Sequence, residues 1–124
     1  MKILVVDDER DIQQLFEQRF RKEIREKLFE LVFAFSSEEA LNYLERHEHE
    51  AVLILSDINM PGMTGLELLG NIKQKYRNPP PVFMIMTAYG DEQNHNAAQK
   101  LGADDFLTKP IEFGLLRDKL KSLQ

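Results

Sequence analysis

Five side chains able to do chemistry follow short apolar or strand-like stretches of this sequence. Asp7 and Asp8 follow the first apolar run and Asp57 follows a later one, while Thr87 and Lys109 follow two further stretches. If these stretches are parallel strands, all five side chains meet at the carboxyl edge of one sheet, where open α/β sheets bind ligands. Neighbouring carboxylates repel one another, so a bound cation or a lysine must stabilise them at neutral pH. The pattern predicts metal-assisted chemistry on a phosphate.

Composition limits the classes of function. A chain of 124 residues is typical of one domain that buries about two thirds of its unfolded surface, so we expect a single domain over residues 1–124. The absence of cysteine excludes disulfides and thiolate chemistry and fits a cytoplasmic protein. The net charge of −5 argues against direct binding to nucleic acid. No apolar run approaches the roughly 20 residues of a membrane span, so we expect no membrane association.

Strand and helix patterns alternate along the chain. Apolar spacings of three and four from Ile12 predict a first helix that reaches about Lys27, with a solvated outer face that includes Arg19 and Glu23. Short apolar or alternating runs predict strands. The predicted strands are residues 2–6, 28–35, 51–56, 82–86 and 106–107.

This alternation, without repeats or a linker, predicts an α/β domain with a doubly wound, five-stranded parallel sheet and helices on both faces. Crossovers between parallel strands are right-handed. If the first helix crosses to one face and the later helices to the other, the strand order is 2-1-3-4-5, which is flavodoxin-like. The crevice then opens between strands one and three, which carry Asp7, Asp8 and Asp57.

An aspartate that accepts a phosphoryl group fits this crevice best. Mg²⁺ prefers oxygen ligands and is usually bound by one or two carboxylates plus phosphate oxygens. A carboxylate nucleophile forms an aspartyl phosphate only if something neutralises the phosphoryl charge. Mg²⁺ and the ammonium of Lys109 would do so from two sides, and the hydroxyl of Thr87 would donate a further hydrogen bond.

Four segments of the chain resemble one known family. They are residues 3–9, 56–65, 86–88 and 107–110. Each segment alone is common, but the four in this order at strand ends are specific. The chain looks like a bacterial response-regulator receiver domain, similar throughout its length to the single-domain chemotaxis regulators. The resemblance implies a two-component signalling domain that is not an enzyme beyond its own Mg²⁺-dependent phosphorylation and dephosphorylation.

The resemblance also assigns roles in the acidic cluster. It implies that Asp57 is the phosphoacceptor and that Asp8 and Asp57 bind Mg²⁺ directly, with Mn²⁺ as an alternative ion. Asp7 would hold the ion through water, and Asn59 would contribute its backbone carbonyl.

A phosphorylation-driven switch is implied as well. Thr87 and Lys109 would hold the phosphoryl oxygens, and movement of Thr87 toward them would leave space for the ring of Phe106, which stands where many members have Tyr. A cis peptide is implied between Lys109 and Pro110. A downstream effector protein would bind the face formed by the helix over residues 91–101, the fifth strand and the last helix.

Further positions resemble those that contact other molecules. Ile12, Leu15 and Pro110 match positions that dock a sensor histidine kinase or phosphotransfer protein, although core packing is an equal alternative for Ile12 and Leu15. Asn59 and Tyr89 resemble positions that gate the approach of water, and we expect slow self-hydrolysis.

Other classes of protein fit less well. A haloacid-dehalogenase-type phosphatase needs a second acid two residues after the nucleophile, where this chain has Asn59. A receiver-like scaffold that works without phosphorylation usually lacks the acceptor, an acid or the lysine, and here all are present. A flavin-binding protein would need hydrogen-bond donors where these loops are acidic. Because the sequence ends at Gln124, we expect no DNA-binding or enzymatic output module.

Overall fold

A parallel sheet forms the centre of the molecule. The computed structural model describes residues 1–47, 50, 52–77, 80–88 and 90–123. Within these residues five strands lie in the order β2-β1-β3-β4-β5, and all neighbouring strands are parallel. They are β1 (Lys2–Val6), β2 (Glu30–Ala34), β3 (Val52–Asp57), β4 (Phe83–Ala88) and β5 (Asp105–Lys109). The predicted order is confirmed, and the carboxyl ends of β1 and β3 are adjacent.

Helices cover both faces of the sheet. They are α1 (Asp11–Arg19), α2 (Arg21–Arg25), α3 (Ser37–Arg46), α4 (Gly65–Lys75), α5 (Glu92–Lys100) and α6 (Phe113–Ser122). Buried side chains of α3, α4 and α5 pack in one apolar cluster and those of α1 and α6 in the other. The last helix therefore lies on the face of α1, and not with the other later helices as the topological argument supposed.

Aromatic packing explains the position of α6. The ring of Phe113 lies edge-on to Phe16 and Phe20, with centroids 5.1 and 5.6 Å apart. Phe20 makes the same kind of contact with Phe29 at 5.4 Å. Edge-to-face pairs of this kind are favourable in addition to their buried area. The phenylalanines of the first half of the chain thus bind α6 to the face of α1.

The prediction of one helix as far as Lys27 is wrong. α1 ends at Arg19, Phe20 departs from helical geometry with φ −108° and ψ 23°, and α2 ends at Arg25. Lys27 then has φ 62°, a left-handed conformation that reverses the chain. Phe29 follows this reversal and packs edge-on against Phe20.

Glu23 does not lie on a solvated face as the charge pattern predicted. It is buried, with 4% of its surface exposed. One of its carboxylate oxygens accepts a hydrogen bond from Nε of Arg117 on α6 at 2.9 Å, and the same guanidinium donates to the carbonyl of Arg19 at 2.8 Å. A carboxylate that is removed from water is strongly destabilised unless a cation lies beside it. The pair therefore joins α2 to α6.

We expect Arg117→Met to lower the free energy of unfolding by about 2–3 kcal/mol, because it leaves the buried Glu23 carboxylate without its cation while keeping an apolar stem. The matched control is Lys119→Met on the same helix. Lys119 pairs with Asp105 at 2.8 Å, where the carboxylate side chain is 36% exposed and that of Glu23 only 6%, so this loss should be below about 1 kcal/mol. Urea denaturation measures both, and equal losses would contradict the role assigned to Arg117.

Candidate functional site

Three carboxylates meet at the carboxyl ends of β1 and β3. Val6 pairs with Ser56 in the ladder between these strands, so the residues that follow, Asp7 and Asp57, are neighbours. With Asp8 they offer carboxylate oxygens that all lie within 4.8 Å of one another. The predicted convergence of these side chains is confirmed.

Lys109 neutralises part of this charge from the edge of the sheet. Its Nζ donates a hydrogen bond to Oδ2 of Asp7 at 2.8 Å and lies 3.4 Å from Oδ2 of Asp57. The strand that carries it is longer than the pattern indicated, because β5 pairs with β4 as far as Ala88 and Lys109. The peptide between Lys109 and Pro110 is cis, as the resemblance implied.

Two hydrogen bonds fix Asp57. The backbone N–H of Ile58 donates to Oδ1 of its carboxylate at 2.9 Å, which leaves Oδ2 facing Lys109. The hydroxyl of Ser56 donates to the Asp57 carbonyl at 2.9 Å. The first bond and Lys109 thus orient the carboxylate, the second bond holds the backbone, and 9% of the residue is exposed.

The loop that follows Asp57 is held by residues that the sequence pattern does not mark as functional. The hydroxyl of Ser37 donates to the Met63 carbonyl at 2.8 Å, and the Glu38 carboxylate accepts from the Met63 N–H at 3.3 Å. That bond helps to lower the pKa of Glu38, after a bond from its own N–H. Thr64 and Glu67 form a capping box that starts α4. The only sequence signal for Ser37 and Glu38 is that of a helix start, which does not reveal a tertiary contact.

Burial governs the electrostatics of Asp57. Removal from water raises the pKa of this carboxyl above its ordinary value, Lys109 opposes the rise, and the charge of Asp7 adds to it. For Lys109, burial favours a lower pKa, but the hydrogen bond to Asp7 and the charge of Asp57 outweigh burial and raise the pKa. The lysine is therefore a cation at neutral pH, and the ionised Asp57 is held at a cost in stability.

This cost leads to a prediction about stability. In buffer that contains a metal chelator, we expect Asp57→Asn to raise the free energy of unfolding at neutral pH. The reason is that the variant lacks a carboxylate whose ionised form is disfavoured by folding. Lys109 keeps its bond to Asp7 and is not left unpaired. The gain should be complete above the raised pKa of Asp57 and disappear as the pH falls below the ordinary aspartate value. Urea denaturation across this pH range measures it, and a loss of stability at neutral pH would contradict it.

The remaining predicted site residues lie on β4, on β5 and in the loop after β3. Thr87 is buried, with 7% of its surface exposed, one residue beyond the Met86 that pairs with Asp57. Asn59 is exposed two residues after Asp57. Phe106 is half-buried on β5. The prediction for Tyr89 concerns a position outside the described residues.

The residues expected to dock a kinase lie on the surface near this edge, with one exception. Leu15 is 37% exposed and Pro110 is exposed. Ile12 is half-buried and packs against the cluster beneath α1. For Ile12, core packing is therefore at least part of its role.

The donor set suits a hard divalent cation. Carboxylate oxygens are the ligands that Mg²⁺ prefers, and one or two of them usually suffice. A sum of three negative charges with one lysine leaves a net negative site. These residues fit Mg²⁺ better than they fit any anionic ligand alone.

Comparison with known proteins agrees with this geometry. Residues 3–121 match the model of the family described as response regulator receiver domain. The chain is 37% identical over 112 residues to an uncharacterized 14.6 kDa protein from the sodA1 3′ region of Leptolyngbya boryana, covering 90% of this chain and 81% of that protein. It is 37% identical over 121 residues to the response regulator protein FleR of Pseudomonas aeruginosa, covering 94% of this chain and 23% of FleR.

A solved structure gives the same result for the fold. The crystal structure of a response regulator receiver domain protein from Clostridium thermocellum superposes with a TM-score of 0.84 at 29% identity, covering 98% of this chain and 91% of that one. Among the described residues of the present protein, no helix has the length and apolar character needed to cross a bilayer.

Proposed function

The chain belongs to the response regulator receiver family, and from this premise we propose that residues 1–124 form a single receiver domain in which Asp57 accepts a phosphoryl group from a phosphohistidine. The observation that carries the proposal is the acidic cluster of Asp7, Asp8 and Asp57 with Lys109 at 2.8 and 3.4 Å from two of its carboxylates. A nucleophilic carboxylate and a cation for the developing charge are both present at the edge where such sheets bind ligands.

The transfer itself needs little covalent chemistry from the protein. A carboxylate oxygen of Asp57 attacks phosphorus, the bond from phosphorus to the donor's imidazole nitrogen breaks, and that nitrogen takes a proton from solvent. Because Asp57 reacts as a carboxylate, no proton has to be removed from it first. Positioning and charge neutralisation supply most of the rate in such transfers.

Divalent metal completes the charge balance. Asp8 and Asp57 would hold a Mg²⁺ or Mn²⁺ ion directly, with Asp7 through water and the Asn59 carbonyl as a further ligand, and the ion would supply positive charge to the phosphoryl oxygens. Lys109 supplies the second cation, and its bond to Asp7 already orients it. The Thr87 hydroxyl donates to the same oxygens.

Thr87 and Phe106 connect the site to the surface. A hydrogen bond from Thr87 to a charged phosphoryl group would contribute about 1.5–3 kcal/mol, enough to shift a two-state equilibrium roughly ten- to a hundredfold. Movement of Thr87 leaves room for the half-buried ring of Phe106. This ring lacks a phenol hydroxyl, so it can turn inward without burying an unpaired donor.

The proposal includes the partners of the domain and its location in the cell. A sensor histidine kinase or phosphotransfer protein docks beside the site on Ile12, Leu15 and Pro110, and an effector protein reads the face of α5, β5 and α6. We place both the phosphotransfer and the effector binding in the cytoplasm. The domain acts as a phosphoacceptor in signalling, with its own phosphorylation and dephosphorylation as its only catalysis.

Acetyl phosphate provides the direct test. We expect one added phosphoryl group in intact-mass spectra after incubation with acetyl phosphate and Mg²⁺, and none in a chelator. Borohydride reduction of the acyl phosphate would convert the labelled residue to homoserine and identify it as Asp57. Labelling that persists without a divalent cation, or that maps to another residue, would overturn the proposal.

A further inference from the structure

His95 and Phe106 form a close, tilted ring pair outside the acidic cluster. Their ring centroids are 3.8 Å apart and their planes are inclined by 30°. His95 lies on α5 and Phe106 on β5, and both residues are half-buried. The contact therefore joins a helix to the strand beneath it.

This contact adds to the small buried surface by which α5 packs on the sheet. Ala98 is the one fully buried residue in α5, all of whose residues are described. The helix start is fixed locally, because the Asp91 side chain accepts hydrogen bonds from the backbone and side chain of Asn94. A helix with so little buried apolar surface depends strongly on each tertiary contact that it does make.

The ladder between β4 and β5 places Phe106 on the same face of the sheet as Thr87, whose hydroxyl we propose to contact the phosphoryl group. Phe106 pairs with Ile85, and Thr87 is two residues further along β4. Side chains two apart in a strand point to the same face of the sheet. The ring that contacts His95 and the side chain of Thr87 therefore share the face covered by α5.

From this arrangement we propose that His95 is a positioning residue that holds the Phe106 ring against α5 and so opposes the switch. The proposal rests on the function proposed above, because it needs Phe106 to move when Asp57 carries a phosphoryl group. In this proposal, an inward turn of the ring separates it from the imidazole, so the free energy of the ring contact is lost on activation. The contact between His95 and Phe106 would thus set how much of the protein is in the active state before phosphorylation.

Beryllofluoride, which mimics the phosphoryl group on a carboxylate, measures this effect. Linkage requires that a contact present only in the resting state weaken binding of a ligand that selects the active state. From the usual strength of an aromatic pair, His95→Ala should bind beryllofluoride with Mg²⁺ roughly two- to tenfold more tightly than the wild type. His95→Phe keeps a ring at this position and should remain within about twofold of the wild type.

Hydrogen exchange of the α5 amides in the free protein supplies a second measurement. It should be faster in His95→Ala and close to the wild-type rate in His95→Phe. If His95→Ala binds beryllofluoride no more tightly than the wild type, the inference is overturned even if exchange in α5 is faster, because His95 would then be structural only. If the wild type itself does not bind beryllofluoride, the proposed function fails first, which is a different result from a wild type that binds and a variant that is unchanged.

Discussion

Asp57→Asn is expected to abolish labelling by acetyl phosphate in the presence of Mg²⁺, reducing it below detection. An amide is a poor nucleophile, whereas the carboxylate of Asp57 is held by the Ile58 N–H with one oxygen facing Lys109. Misfolding would not account for the loss, since removal of this carboxylate should stabilise the metal-free protein. Intact-mass spectrometry with Mg²⁺ measures the labelling, and a denaturation curve of the same protein in buffer with a metal chelator measures the stability.

Two other aspartates provide the controls for this variant. Asp118 is exposed on α6 and is not among the acidic residues that gather at the strand ends, so Asp118→Asn should label like the wild type. Asp8→Asn keeps the acceptor but removes a proposed Mg²⁺ ligand, so it should need more Mg²⁺ for half-maximal labelling. Undiminished labelling of Asp57→Asn, at any Mg²⁺ concentration, would show that the acceptor is a different residue.

Gly65→Ala is expected to cause the largest loss of stability of any small substitution near the site. A Cβ at Gly65 would lie 2.0 Å from the backbone carbonyl oxygen of Asp57 and 2.9 Å from the Cα of Ile58. The chain approaches itself closely here because the Gly65 N–H donates to the Ile58 carbonyl at 2.8 Å. Overpacking costs roughly 1–3 kcal/mol, and backbone cannot rotate away as a side chain can, so we expect about 3 kcal/mol or more.

The clash in Gly65→Ala should also slow the phosphorylation of Asp57, because the backbone of Asp57 must move to make room for the new Cβ. Gly70→Ala in the same helix is the matched control. The nearest atom to a Cβ at Gly70 would be Cδ2 of Leu101 at 3.9 Å, an ordinary contact. Gly70→Ala should raise the free energy of unfolding by roughly 0.5–1 kcal/mol through helix propensity. Urea denaturation and the rate of labelling by acetyl phosphate measure the two effects, and similar values for both variants would refute the clash at Gly65.

Local pattern was sufficient for the fold and for the position of the cluster. Continuous apolar runs with chemically reactive residues at their ends define parallel strands, and a parallel sheet brings strand ends to one edge whatever the details of packing. For this reason Asp7, Asp8, Asp57 and Lys109 could be grouped from the sequence, and the structure brings their side chains together.

The bounds of β5 were predicted less well, because only its apolar residues were used to place it. β5 was expected over residues 106–107 and runs from Asp105 to Lys109. Polar residues at its ends interrupt the apolar pattern, but their backbones pair with β4. Hydrogen bonds between strands do not depend on side-chain polarity, so the pattern of apolar residues underestimates the length of an edge strand.

Other features depended on contacts between residues far apart in the chain. By charge pattern alone, Glu23 is one of many charged residues on a helix, and only its approach to Arg117 on α6 makes it buried. Similarly, His95 has no distinctive sequence signal until packing brings its ring to Phe106. Periodicity within the sequence determined the strands and the acidic edge, and with right-handed crossovers it led to the sheet order. Tertiary packing decided which charges are buried, where the first helix breaks, on which face the last helix lies and what touches Phe106, because each depends on the shape and charge of a distant segment.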